Sequence, residues 1–418
     1  MAAKSWPATF CEIIISSASL VVFTFFDFIE ILLCVFYKYL DGLLEKSNPS
    51  SPCYCCYSSN RDDDDEDEGQ MSETLYKRNN FFRNLGILKK KKNSSSISMG
   101  FKALKSRWSD CSCNSCLSWQ NNEEHKLHVV VMEPSKETDQ DCVSESVIFL
   151  HGFLSSSSFW VESVFPNISK TGIQNYRLFA VDLLGFGKSP KPWDCSYTLK
   201  DHIEMIEQSV IIPSNLKSFH IVAHSMGCII ALGLASKYSK SVKSITLVAP
   251  PYFPSPKEEA SLIALNRLAK RTLWPPLLFA SSVMSWYEHL GRSVCFLYCR
   301  NHQIWESILK LILRTRELHF KILDSTRHTH HSAWHTMHNV IGGGAKQMDE
   351  YLEAVKISRA VLTVIQGDKD SVVPVECSRN LKTKIPHAKV EIISNADHNS
   401  VIFGREQQFT KDLEQIWR

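Results

Sequence analysis

The sequence predicts an α/β fold with a mostly parallel sheet and helices on both of its faces. From residue 125 onward, short apolar runs rich in Val and Ile alternate with helical stretches. Continuous apolar strands that alternate with helices are typical of a parallel sheet that is covered on both faces. The stretches that contain the strands are LHVVVM, SVIFLHGF, YRLFAVDLLG, FHIVAHSMG, SITLVAPP, VLTVIQGDKD and KVEIISNADH.

The composition fits one large domain with additional segments. The chain has 418 residues, of which 44% are hydrophobic and 22% are charged, and these are ordinary values for a folded enzyme. The 47 basic and 44 acidic residues leave a net charge of +3. Because this charge gives the surface no basic bias, nucleic acid is not an expected partner.

Residues 1–45 contain an apolar segment that predicts a signal peptide or a signal-anchor. The stretch IIISSASLVVFTFF at 13–26 is uncharged and has the length of a signal-peptide core. Extended to Tyr37, the apolar run includes Asp27 and Glu30. The apolar side chains favour insertion into a membrane by about 5 to 10 kcal/mol, and the two carboxylates oppose it by about 5 to 7 kcal/mol. A transmembrane helix or a membrane hairpin is therefore the alternative.

Residues 46–107 have the composition of a cysteine-containing, charged and disordered linker. RDDDDEDE at 61–68 and KKKKNSSS at 89–96 show no sustained period. The PCYCC stretch at 52–56 follows the apolar segment, where cysteines can be acylated. Acylation and disulfide formation are equally supported for its cysteines.

A second cysteine group is formed by Cys111, Cys113 and Cys116 in WSDCSCNSC. Three cysteines at this spacing suggest zinc, but no second pair of ligands follows at a zinc-finger spacing. Disulfides with the cysteines at 53–56 are the favoured interpretation.

Two N-x-S sequons begin at Asn93 and Asn167. Such sites are usable only in a chain that enters the secretory pathway. Both asparagines are therefore glycosylation candidates that depend on the apolar segment acting as a signal.

The stretch HIVAHSMG at 220–227 predicts a nucleophilic serine at Ser225. A strand, a sharp turn and an apolar helix follow one another here, which is the context of the G-x-S-x-G nucleophile turn. His224 and Gly227 support the motif, and Ala223 replaces its first glycine with another small residue. The interpretation requires a histidine, a carboxylate and an oxyanion hole elsewhere in the chain.

The partners follow in the order Ser, Asp, His that is expected for the α/β-hydrolase fold. Asp370 and His398 each come directly after a predicted strand. His398 would accept the serine proton, and Asp370 would hold its ring in the required tautomer. Asp368 and Asp397 compete for the acid role. Asp370 is preferred, because a side chain further from the strand reaches a histidine on the neighbouring loop.

An oxyanion hole needs two backbone N–H groups, one of them after the nucleophile and one in the loop after an early strand. Met226 provides the first, and Phe153 of the HGF loop at 151–153 is the natural second donor. His151 and Gly152 belong to the same loop and support this interpretation.

A helical cap is predicted at about 251–349. The alternation of strands and helices lapses there into long helical patterns such as IWESILKLILRTRELHFKIL. The insertion lies between the candidate nucleophile and the candidate acid, where a lid can screen a substrate from water. The main domain of 108–418 is therefore expected to be an α/β hydrolase with a cap.

Three further motifs carry little weight. GFGKS at 185–189 fails as a phosphate-binding loop because Asp182 occupies the position of the first glycine. The histidines from His328 to His338 lack a carboxylate at a metallohydrolase spacing, so they are expected to line the cap or the surface. HFKILD at 319–324 matches an H-x4-D acyltransferase pattern about as often as chance predicts. No metal or cofactor is expected.

Several stretches resemble the BODYGUARD group of plant α/β hydrolases. They are spread over the chain from residue 108 to the C-terminus, and CYCC after the apolar segment also looks like that group. The stretches are WSDCSCNSC, VIFLHGFLSSSSFW, AVDLLGFGKSPKP, HIVAHSMGC, SWYEHL, AWHTMHN and VPVECS. The group has alanine at the position of Ala223, whereas the acidic run at 62–68 departs from its pattern.

The resemblance implies a serine esterase of the lysophospholipase type that acts in formation of the plant cuticle. It places nucleophile, acid and base on Ser225, Asp370 and His398, and implies export to the cell membrane and cell wall with Cys55 as a lipidated anchor. The expected partners are a lipid acyl ester and a membrane. An acyltransferase of cutin monomers would use the same acyl-enzyme, and a non-catalytic lipid-binding scaffold could share the fold.

Overall fold

A computed structural model describes residues 6–44, 54, 71–85, 107–120, 126–135, 145–358 and 360–418. Its centre is a seven-stranded sheet in the order β1-β3-β2-β4-β5-β6-β7. The strands are β1 (Val129–Met132), β2 (Glu145–Leu150), β3 (Tyr176–Val181), β4 (Phe219–His224), β5 (Val242–Val248), β6 (Val361–Gly367) and β7 (Lys389–Ile393). Neighbouring strands are parallel except β1 and β3. The predicted α/β fold is confirmed.

The helices surround this sheet and also extend before it. They are α1 (Trp6–Leu44), α2 (Phe81–Asn84), α3 (Asn114–Gln120), α4 (Ser158–Val161), α5 (Lys170–Asn175), α6 (Leu199–Ile206), α7 (Gly227–Lys237), α8 (Lys257–Leu268), α9 (Pro276–Trp286), α10 (Glu288–Leu297), α11 (His302–Leu313), α12 (Phe320–Asp324), α13 (His330–Thr336), α14 (Gly343–Ala345), α15 (Met348–Ser358), α16 (Val375–Lys384) and α17 (Glu406–Trp417). Single turns at Glu73–Leu75 and Phe165–Asn167 are 3₁₀, and Glu207–Ile211 and Met337–Gly342 are π-helical.

Side chains alternate between the two faces of the sheet, and each face has its own apolar core. In β2, Ile148 and Leu150 face the core that includes α6, α7, α15 and α16, whereas Val147 and Phe149 face the core that includes α4 and α17. All four side chains are fully buried. This burial explains why the strands are continuous apolar runs in the sequence.

The register of the sheet brings the carboxyl ends of the central strands to one edge. Leu150 of β2 lies beside Ala223 of β4, and Val248 of β5 lies beside His224. Val248 also pairs with Ile365 of β6. The loops that follow β2, β4, β6 and β7 therefore meet where ligands bind in open α/β sheets.

The cap lies between β5 and β6 and begins with α8. It ends before α15, which packs against α7. Helix α12 links the cap to the loop after β7, because the Phe320 ring lies 5.9 Å from that of Phe403. The Lys321 ammonium lies 3.7 Å from the centre of the same Phe403 ring. These contacts join the cap to the loop that carries His398.

Helix α1 packs along the cap, and Asp27 and Glu30, the two carboxylates that oppose membrane insertion, are both buried. Glu30 is 2% exposed, and its carboxylate accepts the backbone N–H groups of His289 and Leu290 at the start of α10, each at 3.1 Å. Asp41 forms a two-point ion pair with Arg292 at 2.7 Å. The opposite face of α1 exposes apolar side chains, among them Leu20 and Val21.

Part of the segment that the sequence predicts to be a disordered linker is folded. Leu75 is fully buried and packs beside Trp334, and Arg78 forms a 2.8 Å salt bridge with Glu288 of α10. Because these partners lie more than 200 residues away, no local pattern predicts them. The acidic and lysine runs at 61–68 and 89–96 lie outside the described residues.

Candidate active site

Ser225 lies in a strained turn between β4 and α7. Its φ is +53°, a left-handed conformation that is costly for a residue other than glycine. The turn is fixed by a 2.8 Å hydrogen bond from the Ser225 N–H to the carbonyl of Val248. Gly227 is required by close packing, because a Cβ there would lie 2.6 Å from the carbonyl oxygen of His151. Ala223, at the position of the motif's first glycine, is fully buried.

The structure brings Ser225, His398 and Asp370 into one chain of hydrogen bonds. His398 Nε2 lies 3.1 Å from Ser225 Oγ, and His398 Nδ1 lies 2.7 Å from Asp370 Oδ2. With Nδ1–H donated to the carboxylate, the unprotonated Nε2 faces the serine hydroxyl. This arrangement can activate a serine by general-base catalysis.

Asp370 is held by four donors in a buried site. Besides His398, the side-chain amide of Gln366 donates to Oδ2 at 3.0 Å. The N–H groups of Val372 and Val373 donate to Oδ1 at 2.9 Å each. The sequence analysis missed Gln366, although a polar residue at the end of the apolar run VLTVIQ is a signal for a buried partner.

The two competing carboxylates take other roles. Asp368 is exposed on the same loop as Asp370. Asp397 is also exposed, and it accepts hydrogen bonds from the backbone N–H groups of Ser400 and Asn399, which lower its pKa. Asp397 therefore shapes the turn around His398.

The HGF loop lies directly against the nucleophile turn. A Cβ on Gly152 would be 3.2 Å from Ser225 Cβ, so the loop backbone approaches the serine closely. His151 Nδ1–H donates to the Gly152 carbonyl at 2.7 Å, while its Nε2 accepts the N–H of Leu183 at 2.9 Å. Burial lowers the pKa of His151, so its neutral ring braces the loop.

The two candidate oxyanion donors belong to this contact between loop and turn. Phe153 follows Gly152, and Met226 follows Ser225. Among the backbone–backbone hydrogen bonds of the loops and turns that the structure describes, neither N–H group is a donor. The Phe153 ring packs edge-on against Phe186 with centroids 5.7 Å apart, which fixes the loop from the side.

His224 has a structural link to the candidate base that the motif alone does not reveal. Its Nε2–H donates to the backbone carbonyl of His398 at 3.0 Å, and the Phe159 ring stacks on it with centroids 4.7 Å apart. Burial and the nearby His398 ring hold the pKa of His224 well below its usual value. A neutral His224 thus positions the His398 loop.

The motifs that the sequence analysis set aside have structural roles. The Asp182 carboxylate beside GFGKS accepts the N–H groups of Ser157 and Lys188 at 2.6 and 2.7 Å, which ties two loops together. In HFKILD, His319 Nδ1 accepts the N–H of Lys321, and Asp324 instead accepts a 2.8 Å hydrogen bond from Ser156 Oγ.

The second cysteine group differs from its disulfide prediction. Cys111, Cys113 and Cys116 are free thiols and surround His302, which lies far away in the sequence. His328, one of the predicted cap histidines, is buried beside Cys295 and Cys299. The candidate partners at 53–56 lie outside the described residues, among them the lipidation candidate Cys55.

The glycosylation candidates also have different outcomes. Asn93 lies outside the described residues. Asn167 is partly buried, and its side-chain amide donates to the Ser163 carbonyl at 2.7 Å.

The fold and the site define the class of this protein: it is an α/β hydrolase. Residues 145–279 match the family model described as alpha/beta hydrolase fold. Among solved structures, bromoperoxidase from Bacillus anthracis is 17% identical, with a TM-score of 0.49 over 70% of this chain and 95% of its own.

Two relatives from Arabidopsis thaliana are similar to nearly the whole chain. Probable lysophospholipase BODYGUARD 4 is 50% identical over 421 residues, which cover 99% of both chains. Probable lysophospholipase BODYGUARD 5 is 45% identical over 430 residues, which cover 97% of this chain and 96% of its own. The chain therefore belongs to the BODYGUARD family, and the resemblance predicted from its motifs is confirmed.

Proposed function

We propose that this protein is a serine esterase that cleaves lipid acyl esters of the lysophospholipid type through an acyl-enzyme. The hydrogen-bonded chain from Ser225 through His398 to Asp370 carries the proposal. The relatives named probable lysophospholipases support the class of substrate.

Acylation begins when Ser225 Oγ attacks the ester carbonyl and its proton passes to His398 Nε2. The N–H groups of Phe153 and Met226 stabilise the negative oxygen of the tetrahedral intermediate, and loss of one such donor costs about 3 to 4 kcal/mol. His398 then gives the proton to the leaving alcohol oxygen as the ester C–O bond breaks. The products of this half-reaction are the free alcohol and acyl-Ser225.

Deacylation repeats the sequence with water. His398 Nε2 takes a proton from water as its oxygen attacks the acyl carbon, and it returns that proton to Ser225 Oγ when the acyl–serine bond breaks. A carboxylic acid leaves. If an alcohol such as a second cutin monomer attacks instead, the same steps give acyl transfer, which is the alternative activity.

The substrate test uses the full-length protein in detergent with lysophosphatidylcholine. We expect fatty-acid release that is absent from Ser225→Ala and retained in Ser307→Ala, which replaces an exposed serine of α11. Adding a monoacylglycerol as acceptor separates hydrolysis from transfer, because transfer gives diacylglycerol in place of fatty acid. Equal activity of Ser225→Ala and wild type would refute the proposed nucleophile.

We further propose that the protein acts in cuticle formation at the plant cell membrane and cell wall, as its family resemblance implies. Within the described part of the chain, one stretch, Ile13–Leu44 of α1, is long and apolar enough to cross a membrane by length and composition, and it lies near the N-terminus. This helix is compatible with a signal peptide or an anchor.

Retention of α1 is favoured by its contacts with the cap. Tyr287 donates to the Phe23 carbonyl, and Glu30 and Asp41 bind α10 as described above. Cleavage would expose those cap residues. An intact N-terminus in the protein from plant membranes would support retention, and a mature chain beginning after residue 44 would contradict it. Lipidation of Cys55 is tested by hydroxylamine-sensitive acyl labelling of wild type against Cys55→Ser.

A further inference from the structure

A group of three cysteines and one histidine lies between the segment before β1 and the cap. Cys111 and Cys113 precede α3, Cys116 lies within it, and His302 is the first residue of α11. Their four ligand atoms all lie within 4.8 Å of one another. Three of these residues are close in sequence, but the fourth is contributed by a cap helix almost 200 residues later.

The distances fit a tetrahedral metal ion. His302 Nε2 lies 3.5 Å from both Cys113 Sγ and Cys116 Sγ. Zinc bonds of about 2.3 Å to sulfur and about 2.0 Å to nitrogen, at a tetrahedral angle, separate S and N by about 3.5 Å. A disulfide among these cysteines would join only two of the three sulfurs and would leave the imidazole nitrogen without a role.

The surroundings orient the ligands as in a metal site. The other ring nitrogen of His302, Nδ1, lies 3.0 Å from Glu306 Oε1, so an Nδ1–H group donates to that carboxylate. The Nε2 lone pair then points toward the sulfurs. Metal-binding histidines almost always have such an outer partner, which fixes the tautomer. In addition, the Cys113 N–H donates to Cys111 Sγ at 3.5 Å.

We propose that Cys111, Cys113, Cys116 and His302 bind one Zn²⁺ ion. Three thiolates and one neutral imidazole are soft and borderline donors that favour zinc over Mg²⁺ or Ca²⁺. Binding transfers three thiol protons to solvent and gives a site with a net charge of −1. With four protein ligands no coordination position is open, so the ion has a structural role.

The zinc ion would fasten the segment 107–120 to the cap. Trp108 already docks this segment, because its indole N–H donates to Asp41 of α1 at 2.7 Å and its ring packs on Phe296 of α10. The metal would add a second attachment at α11. The segment before β1, helix α1 and the cap would then form one unit.

The proposal is tested on the full-length protein, made in a secretory host with zinc in the medium and purified in detergent without chelator. Zinc per chain is measured by plasma mass spectrometry. We expect His302→Ala and Cys113→Ser each to lose about one zinc relative to wild type. His302→Cys, which restores four ligands, should keep it.

Three further variants make the result specific. Cys377→Ala removes a buried thiol that is neither one of the proposed zinc ligands nor part of the group of Cys295, Cys299 and His328. It should leave the zinc content unchanged. Glu306→Gln weakens the outer partner of His302 and should lower zinc affinity by about 10- to 100-fold. The Cys295→Ala variant shows whether the group of Cys295, Cys299 and His328 also binds zinc in the wild type. The zinc loss of each variant is therefore measured as the difference in zinc per chain from wild type.

A measurement on the wild type alone covers the case in which a variant fails to fold. Cobalt replacement should give the sulfur-to-metal charge-transfer bands and the intense d–d bands of a tetrahedral thiolate site. Peptide mass spectrometry after thiol alkylation should find all three cysteines reduced. A disulfide at Cys111, Cys113 or Cys116, or zinc content independent of His302, would overturn the proposal.

Discussion

Replacing Asp370 by asparagine should remove most of the activity without unfolding the protein. In the wild type, Asp370 Oδ2 accepts from His398 and Gln366, and Oδ1 accepts from the N–H groups of Val372 and Val373. An asparagine has one accepting oxygen, and the two fixed backbone donors hold it on the Oδ1 side. Its NH₂ group must then face the His398 ring.

The NH₂ group forces His398 into the wrong tautomer. Nδ1 has to accept instead of donate, so the ring proton moves to Nε2 and points at Ser225. In that state His398 cannot accept the serine proton. Loss of the correct tautomer in a serine triad lowers kcat by about 10⁴-fold, which corresponds to about 5.5 kcal/mol in the barrier.

The assay is the initial rate of hydrolysis of a p-nitrophenyl acyl ester, with the urea midpoint recorded for each variant. Asp368→Asn is the matched control, because this carboxylate is exposed on the same loop. We expect the control to stay within about twofold of wild type, as surface changes usually do. Folded Asp370→Asn with activity within about tenfold of wild type would refute the tautomer argument.

Three further substitutions test other parts of the structure. Burial raises the pKa of Asp324 to about 7, so the folded state binds an extra proton from about pH 4 to 7 and stability falls as pH rises through that range. Asp324→Asn should therefore stabilise the protein at pH 8 by roughly 1 to 3 kcal/mol in urea unfolding, and a less stable variant would contradict this reasoning. A Cβ at Gly227 collides with the carbonyl of the HGF loop, so Gly227→Ala should lower the rate of ester hydrolysis by about 100-fold. The control Gly343→Ala should leave the rate unchanged, because the nearest atom to a Cβ at that position is 3.5 Å away. Glu30→Ala leaves N–H groups at the start of α10 without their acceptor and should lower the free energy of unfolding by about 2 to 4 kcal/mol. Its melting temperature should therefore be lower than that of the control Thr24→Ala, on the exposed face of α1. Equal melting temperatures would mean that α1 does not stabilise the mature fold.

The parts of the structure that depend on local pattern could be predicted from the sequence. The strands are apolar runs because both faces of the sheet are covered, and Ser225, Asp370 and His398 each follow such a run directly. The carboxyl ends of parallel strands meet at one edge of the sheet, so these positions alone predict that the three side chains lie close together. The confirmed family resemblance depends on stretches of the same kind.

Contacts between distant parts of the chain could not be predicted in this way. Glu30 counts as a cost of membrane insertion in the sequence, but α10 provides its donors about 260 residues later. Cys111, Cys113 and Cys116 lacked a fourth ligand until the fold placed His302 beside them. In both cases, the partner belongs to the cap, whose helices give no sign in their sequence of what they contact.

The most direct test of the central claim is labelling of the full-length protein by a fluorophosphonate probe, followed by peptide mass spectrometry. The account predicts one phosphonate on Ser225, with labelling abolished in Ser225→Ala and strongly slowed in His398→Ala. Labelling of folded wild type at another serine, or at equal rates in wild type and His398→Ala, would contradict the proposal that Ser225 is activated by His398.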